Sequence, residues 1–127
     1  MGTVIAICTS DARGTQKQPR QSAHFVVDWG IQGDAHGGSW HRQVSLLSAD
    51  KIAAFNEKGA GVKPGAFGEN LVVEGIDFRA LPVGALLRCG QVLLETLRAA
   101  IYGKPQALCF DRADDITEQL AMSQIGG

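Results

Sequence analysis

Apolar and β-branched residues are gathered into short runs, and glycine or polar clusters close almost every one. Residues 3–8 (TVIAIC) form the first run and the polar stretch TSDARGTQKQPRQS ends it, which predicts a buried strand with Cys8 in a core, followed by a loop. A second β-prone run spans 23–29 (AHFVVDW), and residues 30–38 after it are too rich in glycine for helix. Residues 44–47 predict another strand. Ser48 then stands at a helix N-cap position, with Ile52 and Phe55 three apart on one face and Gly59 as a stop, so a helix is expected to about Lys58. Strand character returns at 70–74, 85–89 and 91–96, punctuated by Gly75, Gly84 and Gly90. Beyond Thr96, LRAAIYGKPQALCFDR has no clear period and reads as irregular. Residues 113–124 place Ile116 and Leu120, with Ile125 beyond, at helix-compatible spacing behind Asp111, Asp114 and Asp115, which predicts a C-terminal helix. Many short strands with glycine turns suggest a mostly β fold, a barrel in particular.

Length and charge narrow the classes. With 127 residues, no internal repeat and no linker-like stretch, the chain is read as one domain, residues 1–127. A formal net charge of −1 lacks the basic excess that neutralises a nucleic-acid backbone, so DNA or RNA is not an expected partner. No run approaches the roughly 20 apolar residues of a membrane span, and MGTVIAICTSDARG lacks the features of a secretory leader, so no membrane association and a cytoplasmic location are expected. Cys8, Cys89 and Cys109 lack zinc-ribbon or CxxC spacing and are read as reduced thiols. There is no GxGxxG after a strand, no GxxxxGKS or GxxxxGKT and no GxSxG, which disfavours Rossmann, P-loop and serine-hydrolase roles.

The densest chemistry is GIQGDAHGGSWHRQ, where Asp34, His36, His41 and Arg42 fall within nine positions. Its glycines let backbone amides approach a ligand, and Arg42 offers a planar fork for phosphate or carboxylate, so an anionic ligand fits. Asp34, His36 and His41 could instead hold zinc or iron, or could serve only local turns. GVKPGAFGENL is the second concentration, with Lys63, Glu69 and Asn70; the Asn70 amide suits a heterocycle or phosphate ester, and equally a turn. Cys109 lies between Lys104 and Arg112, cations that would favour a thiolate able to carry sulfur or ligate a soft metal. Beside Leu108 and Phe110 it can as well be an inert core residue.

Four ordered segments, GTVIAICTSDARGTQK, GIQGDAHGGSWHRQVSLLS, PGAFGENLVVEGID and LPVGALLRCGQVLLE, resemble the short bacterial proteins of the MOSC family, named after the C-terminal domain of molybdenum-cofactor sulfurase. The resemblance covers roughly residues 2 to 95. It implies a β-rich α+β fold, a barrel related to that of pyruvate kinase with one or two short helices. It also implies a role near the molybdenum cofactor: in cofactor sulfurases, in molybdenum enzymes that reduce N-hydroxylated compounds, or in small proteins of uncertain role. Carried over position by position, it points to His41, Arg42 and Asn70, with Asp34 and His36, as cofactor-binding residues. The family's functional cysteine commonly follows a sequence like VTQIGKPC. Here Gly103, Lys104 and Pro105 are followed by Gln106, and the cysteine arrives at Cys109. The terminal MSQIGG resembles the strand that precedes that cysteine, so the chain is read as divergent or shortened after about residue 96, with a homodimer as one way to complete it.

The leading expectation is therefore a molybdenum-cofactor-associated protein that binds the cofactor or carries its sulfur, with Cys109 as catalytic residue or molybdenum ligand. It would be a sulfurtransferase or a molybdenum-dependent oxidoreductase. No covalently bound pyridoxal phosphate is expected in this chain; a separate cysteine desulfurase would be the sulfur donor. The alternatives are a non-catalytic binding or partner module that has lost the cysteine chemistry and a metal-dependent hydrolase built on Asp34, His36 and His41.

Overall fold

The computed structural model describes residues 2–26, 29–38, 43–82, 84–89, 92–96, 106–110, 117–120 and 124–125, the last three stretches as backbone strands. In chain order the elements are β1 (Gly2–Thr9), β2 (Gln18–Arg20), β3 (Ala23–Val26), β4 (Gly30–Ile31), β5 (Val44–Ser48), α1 (Ala49–Glu57), β6 (Leu71–Glu74), a 3₁₀ turn (Phe78–Ala80), β7 (Leu86–Cys89), β8 (Val92–Thr96), β9 (Gln106–Phe110), β10 (Thr117–Leu120) and β11 (Gln124–Ile125). Strands β11, β1, β6, β5, β9, β8 and β7 lie side by side in that order, with β2 added on β1; β10, β3 and β4 form a second sheet.

β5 and β6 are parallel, pairing Leu46 with Leu71 and Ser48 with Val73. A parallel pair needs a crossover, and α1 supplies it. Ser48 occupies the N-cap position in extended conformation, but its hydroxyl makes no capping bond. Ile52 is buried, whereas Phe55 is 48% exposed and meets the Phe67 ring at 5.2 Å instead of the core. Gly59, at φ +87°, ends the helix as expected.

A register shift between Val4 and Ala6 governs how β1 is used. In a regular strand Val4, Ala6 and Cys8 would share one face. The irregularity at half-exposed Ile5 resets the alternation. Val4 and Ile7 therefore join one core cluster with Phe25, Leu46, Leu71 and Leu94, while Ala6 and Cys8 join a second with Leu47, Ile52 and Val72.

Two expectations need correction. Residues 117–120 and 124–125, within and just beyond the expected C-terminal helix, are strands: β10 pairs antiparallel with β3, and β11 with the start of β1. The Ile116, Leu120, Ile125 spacing carries too little apolar surface to hold a helix against two sheet edges that offer unpaired backbone groups. Likewise residues 106–110, read as irregular, form β9, which continues the ladder from β8 and pairs with β5 at Val44 and Ser45. The mostly β class stands. Its barrel is not confirmed: β11 and β7, the ends of the large sheet, approach each other, but no ladder joins them among the described residues. Among those residues no helix is long and apolar enough to cross a membrane.

Candidate functional site

The end of β1, the polar loop after it, the glycine-rich loop after β4 and the loop before β6 meet in one buried polar cluster. Glycines let the second loop fold tightly: Gly33 has φ +83°, and Gly38, at φ +146°, donates its N–H to the Trp29 carbonyl at 2.7 Å. The Ala35 N–H donates to the Ser10 carbonyl at 2.8 Å, tying this loop to the end of β1.

Asp34 sits at the centre, and both of its oxygens are occupied. Oδ1 accepts from Lys17 Nζ at 2.6 Å and from the Ser10 N–H at 3.1 Å. Oδ2 accepts from Asn70 Nδ2 at 3.1 Å and from the His36 N–H at 3.2 Å. The Lys17–Asp34 ion pair is fully excluded from solvent, with 0% exposure of either side chain. Lys17 also reaches Ser10 Oγ at 3.2 Å and His36 Nδ1 at 2.9 Å.

Asn70 joins this cluster to the sheet. Its second amide proton goes to the Cys8 carbonyl at 3.0 Å, and its Oδ1 accepts the Ser45 N–H at 3.0 Å. Both amide protons are thus engaged within the protein, leaving none for a heterocycle without rearrangement. Glu69, buried beside it, accepts the N–H groups of Gly65 at 2.8 Å and Phe67 at 3.1 Å, which shapes the preceding loop. That loop touches the first one through the Lys17 N–H on the Gly65 carbonyl at 3.0 Å. Burial, reinforced by the Glu69 carboxylate and opposed by Lys17, pushes the Cys8 thiol up to about 12, so Cys8 stays protonated and inert at neutral pH.

Of the residues singled out from the sequence, Asp34, His36 and Asn70 converge, and the first and last are buried. His41 and Arg42 lie outside the described residues, as does the side chain of Cys109. The backbone of Cys109 pairs with Leu94 in the β8–β9 ladder. Gln106, where the family resemblance would place a cysteine, is paired with Ser45, the residue bound to the Asn70 side chain. Cys109 is three residues further along the strand, about 10 Å away at the usual rise.

Lys17 is a site residue that the sequence pattern does not point to. A lysine between two glutamines in a polar loop reads as solvated, and its place in the GTQK segment was its one distinguishing mark. Lys63, in the second polar concentration, is exposed. Among the described residues no group of three His, Cys, Asp or Glu side chains could hold a metal ion. Both oxygens of Asp34 are engaged already, so it could join one only by giving up a present partner.

Among curated protein sequences there is no match to this chain. Solved structures resemble it along almost its whole length. The YuaD protein of Bacillus subtilis superposes with a TM-score of 0.72 at 15% identity, covering 98% of this chain and 94% of that one. YiiM of Geobacillus stearothermophilus gives 0.69 at 12% identity, over 98% and 74%. YiiM of Escherichia coli gives 0.60 at 17%, over 98% and 68%. At such identities the likeness is one of fold. The MOSC domain family matches residues 32–101, more than half of the 127 residues and the stretch that holds Asp34, His36 and Asn70. The chain belongs to the MOSC domain family.

Proposed function

We propose that the protein is a molybdenum-cofactor-associated protein whose site, next to the Lys17–Asp34 pair, binds an anionic part of that cofactor. The carrying observation is that Asp34 and His36 of the glycine-rich loop and Asn70 of the loop before β6, all within the stretch matched by the family, meet at the buried ion pair that Asp34 forms with Lys17. Buried charges are costly, and a site that must hold surrounding groups still is one place where a fold sustains them.

The described residues suit the cofactor as a frame. Asp34, Asn70 and Lys17 spend their hydrogen-bonding capacity on groups of the protein itself and act by positioning. His36, half-buried, stands at the edge of the cluster. In this reading Arg42 and His41 take the phosphate, and the bound cofactor supplies the redox or sulfur chemistry. Cys109 would carry a persulfide delivered by a separate desulfurase, or ligate molybdenum.

One observation favours a second reading, a binding module without cysteine chemistry: position 106, opposite Ser45, holds glutamine, and Cys109 is displaced along β9. Protein purified from a host competent in cofactor synthesis decides between them. Molybdenum and pterin should co-purify and be lost in Arg42→Ala. If Cys109→Ser removes molybdenum or labile sulfur as well, the cysteine reading holds; if it leaves both unchanged, the binding module does. Wild-type protein free of molybdenum, pterin and labile sulfur refutes both.

A further inference from the structure

We propose that the Trp29 indole is the surface on which the site takes the flat heterocycle of its ligand, the pterin of the cofactor, by stacking. The groups expected to serve a heterocycle through hydrogen bonds are spent. Both Asn70 amide protons go to the Cys8 carbonyl and Asp34 Oδ2, and its Oδ1 accepts the Ser45 N–H. The backbone amides of the glycine-rich loop are spent as well. The N–H groups of Asp34, Gly37 and Gly38 donate to the carbonyls of Ile31, Asp34 and Trp29, that of Ala35 to the Ser10 carbonyl, and that of His36 to Asp34 Oδ2. Consecutive amides from Asp34 to Gly38 are thus bonded within the protein, and this stretch does not form an anion cradle.

Gly37 serves the indole instead. Gly33 and Gly38 have positive φ, whereas Gly37 does not, so contact alone requires glycine there. A Cβ on Gly37 would fall on Cζ3, Cη2 and Cε3 of Trp29, three adjacent atoms of the six-membered ring. The two atoms flanking Cζ3 would be nearly as close as Cζ3 itself, which sets Gly37 over the face of the ring; beyond the rim they would be markedly farther. This contact fixes the plane of the ring, and the Gly38 N–H on the Trp29 carbonyl at 2.7 Å holds its backbone. Trp29 is half-buried, and Gly37 follows His36, so the ring stands beside the edge of the polar cluster. An aromatic ring held flat and partly open to solvent offers π surface to a heterocycle without a hydrogen bond. Stacking leaves the anionic part of the ligand to cations elsewhere in the site. The braced ring follows from its contact with Gly37; the pterin rests on the function proposed above.

Hydroxymethylpterin, which carries no phosphate, is the probe, added to full-length protein from a host that cannot make the cofactor. Trp40→Phe leaves Trp29 as the one indole of the chain. The ring proton of the bound pterin should then move upfield and show nuclear Overhauser contacts to the Trp29 indole protons. No binding, or binding without these contacts, overturns the proposal. Trp29→Phe keeps a ring face and should hold the affinity within a few-fold, whereas Trp29→Leu should lower it about tenfold or more. Unchanged affinity in Trp29→Leu also overturns the proposal. The Overhauser contacts need neither Trp29 variant, so they decide even where Trp29→Leu does not fold. Protein that purifies with pterin from a cofactor-competent host, yet shows no contact between hydroxymethylpterin and Trp29, ends this inference and keeps the cofactor reading. Protein that purifies from that host free of molybdenum, pterin and labile sulfur, yet takes hydroxymethylpterin on Trp29, ends the cofactor reading and keeps this one.

Discussion

Lys17 Nζ and Asp34 Oδ1 lie 2.6 Å apart with no solvent access to either side chain, although 17 positions separate them in the chain. Such a pair gains little over a well-packed neutral one, but losing one member strands the other. Lys17→Met and Asp34→Asn should each cost about 3–5 kcal/mol, and the double replacement much less than their sum. Urea unfolding of the four proteins checks this. Additive losses would show that the two charges are not coupled.

Asn70 is a joint more than a ligand group. Its side chain bonds the Cys8 carbonyl, the Ser45 N–H and Asp34 Oδ2, which ties β1 and β5 to the site. Asn70→Ala strands these buried groups and should cost about 2 kcal/mol or more. Asn70→Asp should be worse at neutral pH, because it sets a second carboxylate against Asp34, and should recover as the pH falls. Melting temperatures at neutral and mildly acidic pH test that order, and an Asn70→Asp variant more stable than Asn70→Ala at neutral pH contradicts it.

How far the sequence discloses this molecule depends on which interactions are local. β1, β5, β6, β7 and β8 follow from short apolar runs between glycines, and α1 from Ser48, Ile52 and Gly59, because those cues lie within the elements themselves. β9, β10 and β11 do not: their strand character comes from partners elsewhere in the chain, at β8, β3 and β1. The site divides in the same way. Asp34, His36 and Asn70 stand out through dense polar residues among glycines, whereas Lys17 gains its role only because the Gly65 loop and the end of β1 enclose it.

Gly65 makes that enclosure possible. It has φ +95°, and a Cβ there would run into the Lys17 carbonyl. Gly59 has a similar φ of +87° with open space around it. Gly59→Ala should therefore cost only the backbone strain, about 1–2 kcal/mol. Gly65→Ala should cost clearly more and disturb the His36 resonances, since Lys17 must move. Equal losses in the two variants would mean that the close approach of the loops contributes nothing.

Cys8 gives the pH dependence. Its folded thiol is pushed up to about 12 from an ordinary 9.0, first by burial and then by Glu69. An unfolded chain therefore loses this proton at lower pH than the folded one and binds fewer protons in between. The resulting stability is fully present below about pH 9 and falls by about 1.4 kcal/mol per pH unit above it, until the folded thiol itself ionises. Cys8→Ala removes this contribution. Wild type should be the more stable protein at pH 8, where Cys8 fills a core position, and its advantage should shrink steadily as the pH is raised. The same burial predicts that iodoacetamide at pH 8.5 labels the Cys8 peptide in urea and spares it in the native protein. Rapid native labelling, or a stability difference that does not change above pH 9, would mean that the thiol meets solvent and that the cluster around Asn70 is more open than its hydrogen bonds imply.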